Sequence, residues 1–508
     1  MSPPLVRRRP RLAALTLVLL ALARPAAAQC PEGTPPPCGR AARAGPNPGS
    51  VAVLYFENLS RDTADSYLAD GLTEELTSRL GEVARLRVPG RSAVRRAQQS
   101  AAGDFAALGR SLNVRYLVEG SVRRADRTVR VTVRLLRAAD GFRVWGETYD
   151  RTVTDILALE AEIGAQVATR VVGALLPGER ATLAARLTNV PEAYDHYLRG
   201  SFHMGRRSVG AFRLAVQEFD QAVERDPGFA AAAARRAYVY AVAFAYGADW
   251  APAETLAARA ERSAAGALRL DSTSSDAWLA RGMLLASIRG DIAGARVADE
   301  RAVALDPRNT EAVHSLGVVL SWLGANAAAI AQFEAALRLD AGRAVDLLDL
   351  AQIRFQQKEL PEARQLLDSA AAIDPDLGRV RLIRARVRLA MGDVAGARQD
   401  AAEAVRLVSA AFRPEARAVA IHIEAAAGDT NAATRQLAEL VRQFPGSLGH
   451  AMALLALGQD DSALTVFAHV PPAAIWWSEL LDPEFDRVRS DPRFQRVAMA
   501  WRPAGAVR

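Results

Sequence analysis

The sequence predicts an α/β domain followed by an all-α solenoid of paired helices. Between residues 51 and 176, apolar residues follow helical spacing in some segments and strand spacing in others. From residue 190 onward, an arrangement of small and large apolar residues returns every 34 residues, which is typical of stacked helix pairs. A chain of 508 residues is also too long to fold around one hydrophobic core, so at least two units are expected.

The first 28 residues have the features of an export signal. Residues 7–11 are mostly arginine, residues 12–23 are apolar, and residues 26–28 are alanines suited to signal peptidase. We therefore expect cleavage after Ala28 and a periplasmic or secreted mature protein. The apolar stretch is too short to cross a bilayer as a helix, so no stable membrane span is predicted after cleavage. Cys30 lies close to the cleavage site and leaves lipidation open as an alternative.

The positive charge of the chain lies largely in this signal. Five arginines fall within residues 1–28, and removing them from the formal charge of +7 leaves +2. A nearly neutral mature chain gives no general reason to expect nucleic acid as a partner.

Residues 29–50 are rich in Pro, Gly and Ala, and this composition predicts a disordered lead-in. The lead-in contains both cysteines of the chain, Cys30 and Cys38. In an oxidising compartment we expect them to form a small disulfide loop. A redox or metal site is the alternative, although no further cysteine and no nearby histidine supports it.

Residues 51–176 predict one α/β domain with the element order β-α-β-α-β-β-β-α. Leu68, Leu72, Leu76 and Leu80 are four residues apart and form one apolar stripe, as expected for a helix that covers a sheet. After residue 114 the spacing changes to two, which predicts three strands joined by tight turns. The predicted strands are residues 51–56, 86–88, 115–122, 128–135 and 142–149, and the predicted helices are residues 65–83, 105–112 and 156–175.

The repeat in residues 190–470 places a small residue, a large one four later, a small one three later, and a proline five after that. Pro307, Ala341 and Pro375 occupy the last of these positions, 34 residues apart. Two helices of about 13 residues with two short turns account for this spacing. We expect seven or eight helix pairs, with an irregular stretch at residues 245–255, and a C-terminal helical cap in residues 471–508 that covers the last pair.

The repeat period and its register resemble the tetratricopeptide repeat (TPR). Four stretches before it resemble the TolB amino-terminal-like (FlgO-like) domain, namely VAVLYFENL, LADGLTEEL, YLVEGSV and VWGETYDR at residues 51–59, 68–76, 116–122 and 144–151. The second resemblance implies an α/β fold and a role in bacterial envelope or signalling assemblies, without a catalytic residue. In related proteins this domain also accompanies kinase, cyclase or DNA-binding domains, none of which is recognised here.

The TPR resemblance implies a concave surface that binds a protein or peptide partner. Arg379 and Arg386 stand where they would meet an acidic end of that partner, although several of these positions have solvent exposure as their alternative role. The implied groove residues are Glu311, His314, Trp322, Gln352, Gln356, Arg379 and Arg386.

The sequence shows no phosphate-binding loop, no metal-ligand motif and no nucleophile motif, so no enzyme activity, cofactor or metal is predicted. Our hypothesis is an exported scaffold that binds a protein or peptide. The alternative is a sensory or regulatory accessory of a bacterial signalling system with a kinase or cyclase as partner. The sequence leaves the oligomeric state and the identity of the partner open.

Overall fold

The computed structural model describes residues 46–506, apart from residues 102, 127, 153–154 and 472–473 and the side chains of residues 474–476. The predicted export signal and the predicted Cys30–Cys38 disulfide lie outside the described residues and stay predictions. Within the described residues, a mixed α/β unit precedes a long helical array, which confirms the predicted fold class.

The α/β unit is built on one mixed sheet in the order β1-β3-β4-β5. β1 runs parallel to β3, β2 pairs with the far end of β3, and the other neighbours are antiparallel. The strands are β1 (Asn47–Val53), β2 (Glu57–Asn58), β3 (Val114–Ala125), β4 (Thr128–Arg137) and β5 (Arg143–Thr152), and the helices are α1 (Ser66–Glu82), α2 (Arg91–Ala101), α3 (Phe105–Leu112) and α4 (Ile156–Val172).

Two details of the predicted order differ. The strand expected at residues 86–88 is a single bridge between Ser50 and Arg87, and α2 was not predicted. α2 has little apolar signal in its sequence, because only Val94 and Ala97 of its eleven residues are buried. Its position is fixed by contacts with distant parts of the chain, which periodicity does not report.

The sheet is covered on both faces. The predicted leucine stripe of α1 is fully buried, with α4, against one face of the sheet. α2 and α3 pack on the opposite face, where Val94 and Leu108 meet Leu117 and Leu136. The sheet is therefore a central layer between two helical layers.

The core of the α/β unit continues into the helical array. After α5 (Pro177–Ala184), the first array helix, α6 (Pro191–Met204), packs directly on α1. At this crossing a Cβ on Gly71 would lie 2.9 Å from a methyl group of Leu198, so the two helices approach closely only because Gly71 has no side chain. The two parts thus share one hydrophobic cluster rather than meeting through a linker.

Eight helix pairs form the array within the described residues. The first helices start 34 residues apart at Thr310, Ala344 and Gly378, as the repeat predicted, while the longer steps come first. The pairs are α6 with α7 (Val209–Arg225), α8 (Ala230–Ala245) with α9 (Ala253–Leu270), α10 (Ser275–Leu284) with α11 (Ile292–Leu305), α12 (Thr310–Trp322) with α13 (Asn326–Leu339), α14 (Ala344–Gln356) with α15 (Leu360–Ile373), α16 (Gly378–Ala390) with α17 (Val394–Leu407), α18 (Arg413–Ala426) with α19 (Thr430–Gln443), and α20 (Leu448–Ala456) with α21 (Asp460–Phe467). Two short helices follow, α22 (Ala474–Glu479) and α23 (Pro492–Trp501).

The helices of a pair meet through a small residue on the first and a large one on the second. A Cβ on Gly317 would lie 2.7 Å from the ring of Phe333, and a Cβ on Gly200 would lie equally close to Phe219. Both rings are fully buried. Close packing of this kind leaves no room for an added methylene, so the register of small and large residues fixes the spacing within each pair.

The third pair replaces the large apolar residue with Asp299. Its carboxyl group is fully buried, rests against the backbone of Gly282, and accepts one hydrogen bond from the Ser315 hydroxyl at 2.8 Å. Its Oδ1 has no hydrogen-bond partner among the described residues. Burial raises the pKa of Asp299 to about 8, against the weaker effect of the Ser315 hydrogen bond. This aspartate is therefore protonated at neutral pH in the folded chain.

Because the folded chain holds a proton on Asp299 that the unfolded chain releases near pH 4, its contribution to stability is greatest below pH 4 and is lost as pH rises to about 8. Relative to Asp299→Asn, the wild type should lose up to about 1.4 kcal/mol of unfolding free energy per pH unit in that window. Denaturant unfolding of both proteins at about pH 5 and pH 7 measures this difference. Parallel behaviour of the two proteins would contradict a buried protonated carboxyl group.

Candidate peptide-binding site

The first helices of the pairs form a concave face, and together with α1 and α2 they enclose a cavity of about 1790 Å³, which we call the chamber. Tyr55 and Arg91 line it from the α/β unit, and His314 and Trp322 from the array. Glu479, at the end of α22, closes the far side. The predicted groove residues thus face an enclosed space shared with the α/β unit, rather than an open channel.

One turn of the array caps a helix of the α/β unit. Asp340, between α13 and α14, accepts hydrogen bonds from the backbone N–H groups of Ser92 at 3.1 Å and Ala93 at 2.8 Å. These N–H groups belong to the first turn of α2, where no intrahelical acceptor exists. A Cβ on Gly342 would lie 2.2 Å from the backbone of Ser92, so the contact requires glycine there. This contact holds α2 against the rim of the chamber.

The array also returns to meet itself. Gly247, in the loop after α8, lies against Ala411 in the short helical turn before α18, and a Cβ on Gly247 would be 3.5 Å from the Ala411 nitrogen. The second and the seventh helix pairs are thereby in contact. The wall of the chamber is therefore continuous between these two pairs.

Glu311 is the centre of an ion network. Its Oε2 accepts hydrogen bonds from Arg207 at 2.8 Å and Arg343 at 3.2 Å, and its Oε1 accepts one from the Tyr238 hydroxyl at 2.7 Å. Burial opposes ionisation of Glu311, but the two guanidinium groups outweigh it and lower its pKa. Glu311 thus has three partners within the chain and serves first to join α12 to α6, α8 and α14.

His314 is paired with acidic residues of the next helix pair. Its Nδ1 lies 2.8 Å from Asp346 and its Nε2 lies 3.9 Å from Asp349. Burial alone would lower the pKa of His314, but the Asp346 carboxylate outweighs it and raises the pKa. Trp322 packs at the same level of the chamber against an apolar cluster that includes Ala506 from the C-terminal tail.

The C-terminal segment occupies the groove at α14 and α16. Gln352 and Gln356 each donate a hydrogen bond to Asp482 Oδ1 at 2.9 Å. Arg386 donates to Asp482 Oδ2 at 2.5 Å and to both oxygens of Glu484 at 2.9 and 2.7 Å. The acidic group that we expected from a partner at Arg386 is therefore supplied by the chain itself, and Arg386 is only 2% exposed.

This segment is anchored on its other side. Leu480 and Phe485 are fully buried in the hydrophobic cluster of the last helix pair, where Phe485 contacts Phe467 and Phe494. Burial raises the pKa of Asp482 to about 7, although Arg386 opposes it. The segment thus covers the last pair with its apolar side chains and fills the groove with its acidic ones. The acidic residues between apolar ones at 480–486 were the only signal of this second role in the sequence.

Arg379 remains on the chamber surface. Its guanidinium lies over the ring of Phe412, 4.9 Å from the ring centroid. No carboxylate within the described part of the chain lies at ion-pair distance from it, although Asp349 and Glu479 are near enough to feel its charge. Of the two arginines predicted to meet an acidic group, Arg379 is the one whose charge the structure leaves for a ligand.

Comparisons with known proteins agree with the helix-pair geometry. Residues 323–387, which span the end of α12 to α16, match the family described as tetratricopeptide repeat. The chain carries tetratricopeptide repeats. Among solved structures, the array is similar to pilF of Pseudomonas aeruginosa, with 24% identity, a TM-score of 0.32, and coverage of 42% of this chain and 92% of the other. Yeast Tom70 shows 17% identity, a TM-score of 0.36, and coverage of 60% and 67%.

One curated relative matches part of the chain. A protein of Rhizobium meliloti (strain 1021) named "Putative adenylate cyclase 3" is 34% identical over 183 residues, which is 36% of this chain. The match spans 31% of the length of that relative. Within the described residues, no group of three or more His, Cys, Asp or Glu side chains is placed to hold a metal ion. None of the described helices is both long and apolar enough to cross a bilayer.

Replacing Asp340 tests the cap on α2. Asp374 stands 34 residues later, at the same place in the next turn, and bonds only the local N–H of Asp376 at 3.1 Å. We expect Asp340→Ala to lower the unfolding free energy by about 1 to 2 kcal/mol more than Asp374→Ala, because only Asp340 caps a second helix. Denaturant unfolding measures the difference, and hydrogen exchange at Ser92 and Ala93 should be faster only in Asp340→Ala. Equal effects of both substitutions would show that the cap contributes nothing.

Proposed function

We propose that this protein is an exported, non-enzymatic scaffold that binds an extended segment of a protein partner in the chamber. The observation that carries the proposal is the placement of Arg379, Trp322 and His314 on the wall of one large cavity built from tetratricopeptide repeats. Repeats of this kind supply a rigid curved surface that accepts a partner's extended chain. The segment at Asp482 and Glu484 restricts this site to the part of the concave face that it leaves open.

The α/β unit supports a finer assignment, which we also propose. The four stretches that resemble the TolB amino-terminal-like domain fall on β1 and β2, α1, β3 and β5. These are the elements that build the sheet and its main covering helix. A domain of that family beside the repeats fits a role in an envelope assembly, and cleavage after Ala28 would deliver the chain there.

A signalling role is the second candidate. The one observation that favours it is the partial match to the Rhizobium meliloti protein whose printed name is that of an adenylate cyclase. In this alternative the chain is an accessory that docks on a separate kinase or cyclase. The identity of the bound partner separates the two candidates, because a scaffold of the envelope has no reason to retain a cyclase.

Partner capture tests the chamber. Wild type, Arg379→Gln and Arg406→Gln carry one affinity tag and are used to capture proteins from an envelope extract, with mass spectrometry as the readout. Arg406 lies on the outer helix α17 and is paired with Glu403, outside the chamber, so its substitution is the matched control. We expect Arg379→Gln to reduce capture of the main partner by about tenfold or more, as for a central charged contact.

The control Arg406→Gln should capture as much partner as the wild type. Equal capture by all three proteins would contradict binding in the chamber. A cyclase or kinase among the proteins lost in Arg379→Gln would favour the signalling candidate over the scaffold.

Export has a direct test as well. The mature protein, purified from the source cell's envelope or medium, should start at Gln29 in amino-terminal sequencing, because residues 26–28 offer the small side chains that signal peptidase requires. Replacing Ala28 with a bulky residue such as Arg should leave the signal attached. A mature protein that retains Met1, or that starts with a lipid-modified Cys30, would contradict this cleavage.

A further inference from the structure

The arginines that line the chamber fall into two groups. Some are held by ion pairs, such as Arg91 with Glu74 at 3.0 Å and Arg343 with Asp346 at 2.6 Å. Arg95 and Arg206 are instead held by stacking on aromatic rings, and no described carboxylate lies within ion-pair distance of either. Stacking fixes the plane of a guanidinium group without using its N–H donors, so these donors stay available for a ligand.

The two stacked arginines lie in the same part of the chamber. Arg95 lies over the ring of Tyr55, 4.4 Å from its centroid, and Arg206 lies over the ring of Phe202 at the same distance. Both charges act on the carboxyl group of Asp70, which therefore lies between them. One arginine comes from α2 of the α/β unit and the other follows α6 of the array, so the place exists only where the two units meet.

The charges at this place do not balance. Arg91, Arg95 and Arg206 act on Asp70, while the carboxylates present are those of Asp70 and Glu74. Three guanidinium groups thus face two carboxylates, and Glu74 is shared further with Arg235 at 3.1 Å. Burial raises the pKa of Asp70, in opposition to Arg91 and Arg95, which adds to the positive excess. One negative charge is missing for neutrality.

The location also suits a ligand. Tyr55 lies two residues beyond the carboxyl end of β1, which pairs in parallel with β3. In α/β sheets, ligands bind in the crevice outside the carboxyl ends of parallel strands. Here that crevice opens into the chamber, because Tyr55, Asp70, Arg95 and Arg206 all line it.

We propose that Arg95 and Arg206 form an anion site that holds one carboxylate or phosphate group of the segment bound in the chamber. The guanidinium groups donate N–H bonds to the oxygen atoms of that group, which supplies the missing negative charge. This inference deepens the proposed function, on which it rests for the occupant of the chamber. It assigns the partner an acidic end or a phosphorylated side chain directed at the α/β unit.

The test measures the thermal midpoint of the full chain during titration with sodium phosphate or sodium acetate, at an ionic strength held constant with sodium chloride. The wild type should show saturable stabilisation by one anion or both. Saturation by acetate alone identifies a carboxylate as the ligand group, saturation by phosphate alone identifies a phosphate, and saturation by both supports the shared anion chemistry.

The matched variants are the double substitution Arg95→Gln/Arg206→Gln and the control Arg170→Gln. Arg170 also stacks on an aromatic ring, that of Trp145 at 5.4 Å, but lies outside the chamber. The apparent affinity should fall about tenfold or more in the double variant, as expected for the loss of charged donors, and should not change in Arg170→Gln. If the double variant does not fold, Arg95→Lys/Arg206→Lys replaces it, because lysine keeps the charge and loses the bidentate geometry.

Absence of saturable stabilisation in the wild type would overturn the anion site, as would an equal response of wild type and double variant. Either result leaves the proposed function intact as long as Arg379→Gln still loses its partner in the capture experiment. Loss of partner capture in neither chamber variant, together with a confirmed anion site, would instead contradict the proposed function.

Discussion

The contact of a small residue on one helix with a large residue on its partner sets the spacing of the helical array. Where Gly317 meets Phe333 or Gly200 meets Phe219, the ring fills the space that a Cβ would take. No pair covers its outer apolar residues alone, so each must stack on the next. The curvature, the concave face and finally the chamber follow from repeating that contact, and Asp299 shows that one pair tolerates a polar substitute at a cost in pH sensitivity.

The interior of the chamber is organised by arginine. All but one of the 64 Lys and Arg side chains are arginine, since Lys358 is the only lysine. A guanidinium group bonds several carboxylates at once, and Arg386 uses this to hold Asp482 and Glu484 together. Replacing such a buried arginine with lysine would leave acceptors unsatisfied. The arginines therefore join helices first, and only those held by aromatic rings have donors left for a partner.

The α/β unit is part of the binding site rather than an appended domain. Its helix α1 packs on the first array helix through Gly71, and its helix α2 is capped by Asp340 from the fourth helix pair. The C-terminal segment closes the opposite end through Asp482. Partner binding and the relative position of these three parts are thus coupled, because a ligand in the chamber contacts side chains from all of them.

The sequence by itself determined the elements whose signals are local. The leucine stripe of α1, the alternating strands β3 to β5 and the 34-residue step were all predictable, because helix and strand periods show directly in the order of apolar residues. It also selected groove positions that line the chamber, among them His314, Trp322 and Arg379. Only the tertiary structure decided the contacts of those residues. Asp340 caps a helix almost 250 residues earlier, and Arg386 meets an acidic segment almost 100 residues later, so neither pairing leaves a periodic trace. Charge pairing across such distances depends on how the stacked pairs curve, and that curvature is a sum of many packing contacts that no single stretch of sequence records.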